Sequence, residues 1–172
     1  MNPLAVFFPT YTAPSVFGLT ADQLRGWGVK GIIFDIDNTL VPPNAPADEA
    51  ARAFFAALRE EGFQCFILSN NHEERAASFA HEVGSLYLSG AGKPKKEGYQ
   101  TAMARMGTGR DDTLVIGDQL ITDICGANRC GIRSLLVEPV DPAHEQPFVR
   151  VKRLLEKPVL KCYKAMNNNH TL

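Results

Sequence analysis

The sequence predicts a three-layer α/β/α domain built on a doubly wound, Rossmann-like parallel sheet of five strands. Two observations predict it. Short apolar, partly β-branched runs alternate along the chain with helical segments, and the connections between them are too short to separate domains. Polar residues with chemical potential follow directly after several apolar runs, which is where an open parallel sheet binds its ligands.

The elements follow in order. Thr20-Ala21-Asp22-Gln23 has capping-box form and starts a short helix reaching Trp27. Residues 32–36 are the first core strand. Pro46-Ala47-Asp48-Glu49 opens an alanine-rich helix that runs to Glu61 and stops at Gly62. Phe63 to Leu68 is the second strand and ends at Ser69-Asn70-Asn71. A helix from His72 to Val83 follows, with Asn71 as its expected N-cap and Gly84 as its stop. Ser85 to Leu88 is a short third strand. Lys93-Pro94 begins a helix ending near Gly107. Thr113 to Ile116 is the fourth strand, followed by Gly117-Asp118. A helix near Asp123 to Arg129 ends at Gly131, and Ile132 to Val137 is the fifth strand. Residues 1–172 therefore read as one domain, with an N-terminal flank (1–30), a catalytic core (31–138) and a basic C-terminal flank (139–172). The final Asn167 to Leu172 carries no apolar pattern and is expected to fray.

Bulk properties narrow the class. The chain has 172 residues, enough for a real core, with 45% apolar and 22% charged residues. A formal net charge of -1 provides no overall attraction for nucleic acid, so any basic patch must be local. Cys65, Cys125, Cys130 and Cys162 form no C-x-x-C pair, which argues against zinc and for free thiols in a reducing compartment. Cys65 lies in an apolar run and reads as buried. No basic residue precedes the apolar Leu4, Val6, Phe7 and Phe8, and no run approaches a membrane span. A cytoplasmic protein without a transmembrane segment is expected.

Four strand ends carry the chemistry. The run Gly31-Ile32-Ile33-Phe34 delivers Asp35 and Asp37, with Thr39 close behind. The second strand delivers Ser69 and then Asn70. The loop after the third delivers Lys93. The fourth delivers Asp118, with Asp123 about one helical turn onward. If the strands are parallel, all these groups gather on one rim. Two carboxylates at the end of a buried strand are costly unless they bind a cation or do chemistry. A calcium loop starting at Asp35 would need Gly and Glu where Leu40 and Pro46 stand. The inventory suits phosphoryl transfer instead. A phosphate ester must be neutralised before a carboxylate attacks it, and a magnesium ion on oxygen ligands with a lysine supplies the charge. One carboxylate can be the nucleophile, and a second can move the proton.

These residues resemble the motifs of the haloacid dehalogenase (HAD) superfamily. Asp35-Ile36-Asp37-Asn38-Thr39 is similar to its D-x-D-x-T motif, Ser69 and Lys93 to its second and third, and Gly117-Asp118-Gln119-Leu120-Ile121-Thr122-Asp123 to its fourth. The resemblance implies Asp35 as nucleophile and Asp37 as general acid/base, with Ser69, Lys93 and Thr39 on the phosphate side, Thr39 bracing the motif loop. Asn70 is placed at the same rim by its position alone, and two readings fit it, a contact to the substrate or a loop hydrogen bond. It implies Mg2+ bound by Asp35, the Asp37 backbone carbonyl and Asp118, with Asp123 supporting the metal or Lys93. The acid at position 37 favours a phosphatase. More narrowly, the chain resembles the YqeG group of capless phosphatases, subfamily IIIA, related to mitochondrial phosphatidylglycerophosphate phosphatases. That implies phosphatidylglycerophosphate as substrate. The alternatives are a sugar phosphate, nucleotide or phosphoprotein substrate, or a non-catalytic phosphate sensor.

Spacing adds a further expectation. Neither Asp35 to Ser69 nor Ser69 to Lys93 leaves room for a cap domain, so the site should be open and its substrate large or held elsewhere, as on a lipid surface. Between Pro147 and Lys164 stand Arg150, Lys152, Arg153, Lys157, Lys161 and Lys164 against one acid, Glu156. Two readings fit this stretch. One is a surface helix packing Leu154, Leu155 and Leu160 on the sheet. The other is a surface that docks peripherally on the inner, anionic face of a membrane. The sequence does not set the oligomeric state.

Overall fold

The computed structural model of the protein describes residues 3–166. The expected fraying of Asn167 to Leu172 lies outside the described residues. Six parallel strands form one sheet in the order β1-β6-β5-β2-β3-β4: β1 (Tyr11–Ala13), β2 (Gly31–Phe34), β3 (Gln64–Leu68), β4 (Leu86–Leu88), β5 (Thr113–Gly117) and β6 (Arg133–Val137). Five were expected from the sequence. The sixth, β1, adds to the edge by pairing Tyr11 with Leu135 and Ala13 with Val137. Its three residues are all half-buried and sit between Pro9 and Pro14, so no apolar alternation announces it.

The helices are α1 (Ala21–Gly26), α2 (Glu49–Glu60), α3 (Glu73–Val83), α4 (Lys96–Met106), α5 (Cys125–Cys130) and α6 (Pro147–Met166). The capping box at Thr20 and Gln23 forms in full. Asp48 caps α2 by accepting from Ala51 N at 2.8 Å. Ala51, Phe55 and Leu58, spaced along one face, are buried. Asn71 does not cap α3. The cap position falls to His72, which makes no side-chain bond there, because Asn71 donates instead to the Asp37 carboxylate. A hydrogen bond to a charged acceptor is stronger than a neutral cap bond.

Both faces of the sheet are covered. Ile32, Phe34, Ile67, Leu114 and Ile116 pack with Phe55 and Phe79 on one side; Ile33, Phe66 and Val115 pack with Tyr99, Met106 and Ile132 on the other. This explains why β2 and β5 read as unbroken apolar runs. All four cysteines are free thiols, and burial pushes the Cys65 thiol up to about 12. Only α2 lies between β2 and β3, and only α3 between β3 and β4, so no cap domain is inserted.

Of the two readings of this stretch, α6 departs from the one that packs Leu154, Leu155 and Leu160 on the sheet: Leu160 is half-buried, but Leu154 and Leu155 face outward. Those two residues are 61% and 63% exposed. The buried positions are Glu156 and Tyr163, and Glu156 accepts from Ile121 N at 3.0 Å. The helix therefore crosses the carboxyl rim of the sheet, where polar groups wait for partners. Pro158 removes one helical donor from the Leu154 carbonyl, on a stretch of α6 that water reaches.

Candidate active site

Strand order reverses at β2, whose neighbours are β3 and β5, and ligands bind at the carboxyl end of such a switch point. There the structure brings together the expected residues. Asp35 leaves β2 with its N–H bonded to Ile116 O of β5 at 3.0 Å. Lys93 Nζ donates to Asp35 Oδ1 and to Asp123 Oδ1, both at 2.7 Å. Asn70 delivers that lysine: its Oδ1 accepts from Lys93 N at 2.8 Å and its Nδ2 donates to Lys93 O. Asn70 thus grips the lysine backbone. Ser69 is buried, lines the cleft and accepts from Asn71 N at 3.1 Å.

The fourth strand end is equally constrained. A Cβ on Gly117 would lie 2.4 Å from the Asp123 carboxyl carbon, so only glycine admits that acid beneath β5. The wide helical turn Leu120–Ile124 then carries Asp123 back under the strand end. Its Oδ2 accepts from Gln119 N at 3.2 Å while Oδ1 faces Lys93. Gly126 is similarly pressed against the Tyr99 ring, whose hydroxyl donates to Thr122 O at 2.9 Å.

Thr39 is buried and absent from the cleft wall. Its hydroxyl donates to Asp118 Oδ1 at 3.0 Å, so it braces the end of the fourth expected strand against the first loop. Asp37 lines the cleft, and its carboxylate accepts from Asn44 N, Asn71 and Arg75, the last at 2.9 Å.

The sequence reading missed four residues at this rim. Arg153 of α6 donates to the Asp118 carboxylate and, through Nη1, to Asp118 O at 2.8 Å. Its Nε donates to Glu145 Oε1 at 2.7 Å. Asn38, at φ 63°, donates to the same Glu145 oxygen and accepts from Asp141 N, tying the first loop to residues 141–145. Arg75 is the fourth. The φ > 0 tolerance of asparagine was the available signal for Asn38. For Arg153 and Glu145 there was none, because both sit among ordinary surface-type charges.

The cleft holds about 120 Å³, with exposed Gln146 and Phe148 and half-buried Val149 and Lys152 on one side. The site was expected to be open, with few residues to enclose a substrate; the start of α6 supplies the side wall that spacing did not announce.

The electrostatics call for a cation. Asp35, Asp118 and Asp123 offer oxygens within 4.8 Å of one another. Burial pushes the Asp35 carboxyl up to about 6 against the pull of Lys93. Burial also pushes Asp118 up to about 8, helped by Asp35 and Asp123 and opposed by Arg153. Burial alone would lower the Lys93 ammonium, but Asp123 and Asp35 more than reverse that and hold it charged. Counting Glu145 and Glu156, five carboxylates share Lys93 and Arg153. Gln119 Oε1, on the cleft wall, is a buried acceptor with no partner among the described residues. An all-oxygen set with surplus negative charge fits a hard divalent cation.

Fold and rim together define a class: residues 42–131, which include Ser69, Lys93, Asp118 and Asp123, match the haloacid dehalogenase-like hydrolase family, and the chain belongs to it. It is a hydrolase of the phosphatase kind. Among individual proteins, it is 36% identical over 160 residues to the probable phosphatase YqeG of Bacillus subtilis, covering 92% of each chain. It is 30% identical to phosphatidylglycerophosphate phosphatase 1, chloroplastic/mitochondrial, of Arabidopsis thaliana, over 81% of this chain but 43% of that longer one. The deoxy-D-mannose-octulosonate 8-phosphate phosphatase of Haemophilus influenzae, in a cobalt-bound form, shares the fold, with a TM-score of 0.52, 17% identity and coverage of 78% of this chain and 91% of that one.

Proposed function

We propose that the chain is a Mg2+-dependent phosphomonoesterase that works through an aspartyl-phosphate on Asp35, with phosphatidylglycerophosphate as substrate. The observation that carries the activity is the Lys93 ammonium held 2.7 Å from both Asp35 and Asp123 on the wall of a cleft shared with Asp37 and Ser69. Two relatives named as phosphatidylglycerophosphate phosphatases, in Arabidopsis thaliana and Chlamydomonas reinhardtii, support the substrate.

The cation would be held by Asp35, Asp118 and Asp123 with the Asp37 carbonyl, and when bound it supplies positive charge to the phosphoryl group. Lys93 keeps Asp35 ionised against the burial that raises its pKa. An Asp35 oxygen bonds to phosphorus as the phosphorus–ester oxygen bond breaks, and Asp37 gives its proton to the departing alcohol. Asp37 then takes a proton from water, whose oxygen attacks phosphorus and frees Asp35 and inorganic phosphate. Ser69 presents a hydroxyl to the phosphoryl oxygens.

Phosphate release from phosphatidylglycerophosphate, measured beside soluble sugar phosphates, nucleotides and phosphopeptides, tests this. The lipid is expected to show the highest kcat/KM. A higher value on a soluble ester overturns the substrate, and no release even from p-nitrophenyl phosphate overturns the activity. Asp35→Asn is expected to abolish turnover, and retained activity refutes the nucleophile.

A further inference from the structure

Among the described residues, no other element covers the outward face of α6, and it is apolar. Phe148, Val151, Leu154 and Leu155 are 57%, 57%, 61% and 63% exposed. Their spacing of three, three and one residues puts them on one side of the helix, turned away from the side that buries Glu156 and Tyr163. Along one edge of this stripe runs a row of cations at i, i+7, i+11 and i+14: Arg150, Lys157, Lys161 and Lys164, all exposed. Among the described residues, Lys157, Lys161 and Lys164 make no ion pair. The only acid of the helix, Glu156, is buried against the fold and is not part of this exposed surface.

We infer that α6 lies flat on an anionic lipid bilayer, with the apolar stripe between the headgroups and the cationic row against their phosphates. An apolar stripe flanked by lysines, on a helix that is otherwise polar, is the pattern of an interfacial helix. Charge complementarity selects the occupant. A second copy of the chain, paired through the same face, would set two rows of cations side by side with no exposed acid on either helix. A lipid surface carrying negative headgroups meets both parts of the pattern at once. No helix among the described residues is long and apolar enough to cross the membrane, so the contact is made from one side.

The position of α6 gives the docking a consequence. Phe148, Val149 and Lys152, in its first two turns, also wall the catalytic cleft. A docked α6 therefore holds the mouth of the cleft at headgroup depth. The docking stands by itself; that it presents a lipid phosphate to Asp35 rests on the function proposed above.

The test is co-sedimentation of the full chain with vesicles of phosphatidylcholine alone and with one-third phosphatidylglycerol. Leu154→Ser/Leu155→Ser and Lys157→Gln/Lys161→Gln are compared with the unaltered chain, and p-nitrophenyl phosphate turnover is followed in each. The expected result is binding to the acidic vesicles that weakens with salt. The lysine pair should lose on the order of 20-fold in affinity, since each near-surface cation contributes roughly fivefold. The leucine pair should lose at least as much, and soluble-ester turnover should stay unchanged in both. Absence of binding, equal binding to neutral vesicles, or binding untouched by both variants overturns the docking. So does concentration-dependent dimerisation that the leucine variant abolishes, because it makes a second copy the occupant. Loss of p-nitrophenyl phosphate turnover in the unaltered chain alongside intact vesicle binding would refute the catalytic reading and leave the docking standing.

Discussion

Gly117 and Asp123 show how little freedom single residues have at this rim. Glycine stands before Asp118 because a methyl group there would occupy the space of the Asp123 carboxylate. Gly117→Ala is expected to push Asp123 off Lys93, lowering kcat at least tenfold and stability by about 1–3 kcal/mol, as overpacking does. Steady-state kinetics and urea unfolding check both, and an alanine variant with full activity would contradict the crowding. Asp37 makes a separate point. Its carboxylate is oriented by Asn71 and Arg75, so Asp37→Asn keeps the shape but removes the proposed proton carrier. A loss of about 10²–10⁴-fold in turnover is expected, with phosphate binding retained, as read by single-turnover kinetics and phosphate titration.

At the scale of elements, α6 is bound to the catalytic rim by charge. Arg153, whose side chain is 18% exposed, is the cation for both Asp118 and Glu145. Removing one partner from such a cluster leaves buried carboxylates uncompensated. Arg153→Gln is therefore expected to lower stability by about 3 kcal/mol, the low end for a buried pair because the arginine is partly solvated. Thermal unfolding in the absence of metal should show it, and saturating Mg2+ should restore part of the loss by neutralising Asp118. An unchanged midpoint would mean that α6 is not anchored through this residue. Two features of the elements escaped the sequence for related reasons. The edge strand β1 and the orientation of α6 depend on distant partners, β6 and the 120–124 turn, that local patterning does not encode.

For the whole molecule, the rim couples stability, protons and metal. Asp35 and Asp118 have carboxyls raised by burial to about 6 and about 8. A raised carboxyl contributes stability that is present below its unfolded pKa and lost as pH rises through the folded value. Without a cation, these two groups should therefore erode stability from about pH 4 to about pH 8. A divalent cation needs them ionised, so its affinity rises over the upper part of that window. The Tm difference between Mg2+-loaded and EDTA-treated protein is expected to widen from about pH 5 to about pH 8. A difference that stays constant or narrows would show that these carboxylates do not hold the ion.

The sequence by itself determined five of the six strands, the helices between them and the four strand ends, because apolar runs, glycine stops and caps are local signals. It thereby placed Asp35, Asp37, Ser69, Lys93 and Asp118 on one rim as soon as the strands were parallel. Only the tertiary structure decided what those groups do for one another. Asn70 turned out to hold the Lys93 backbone, Thr39 to brace Asp118, and Arg153 to arrive from a helix near the chain's other end. Such pairings join residues up to 107 positions apart, as for Asn38 and Glu145. They are set by which buried charges most need a partner once the chain has closed, and no spacing along the sequence carries that.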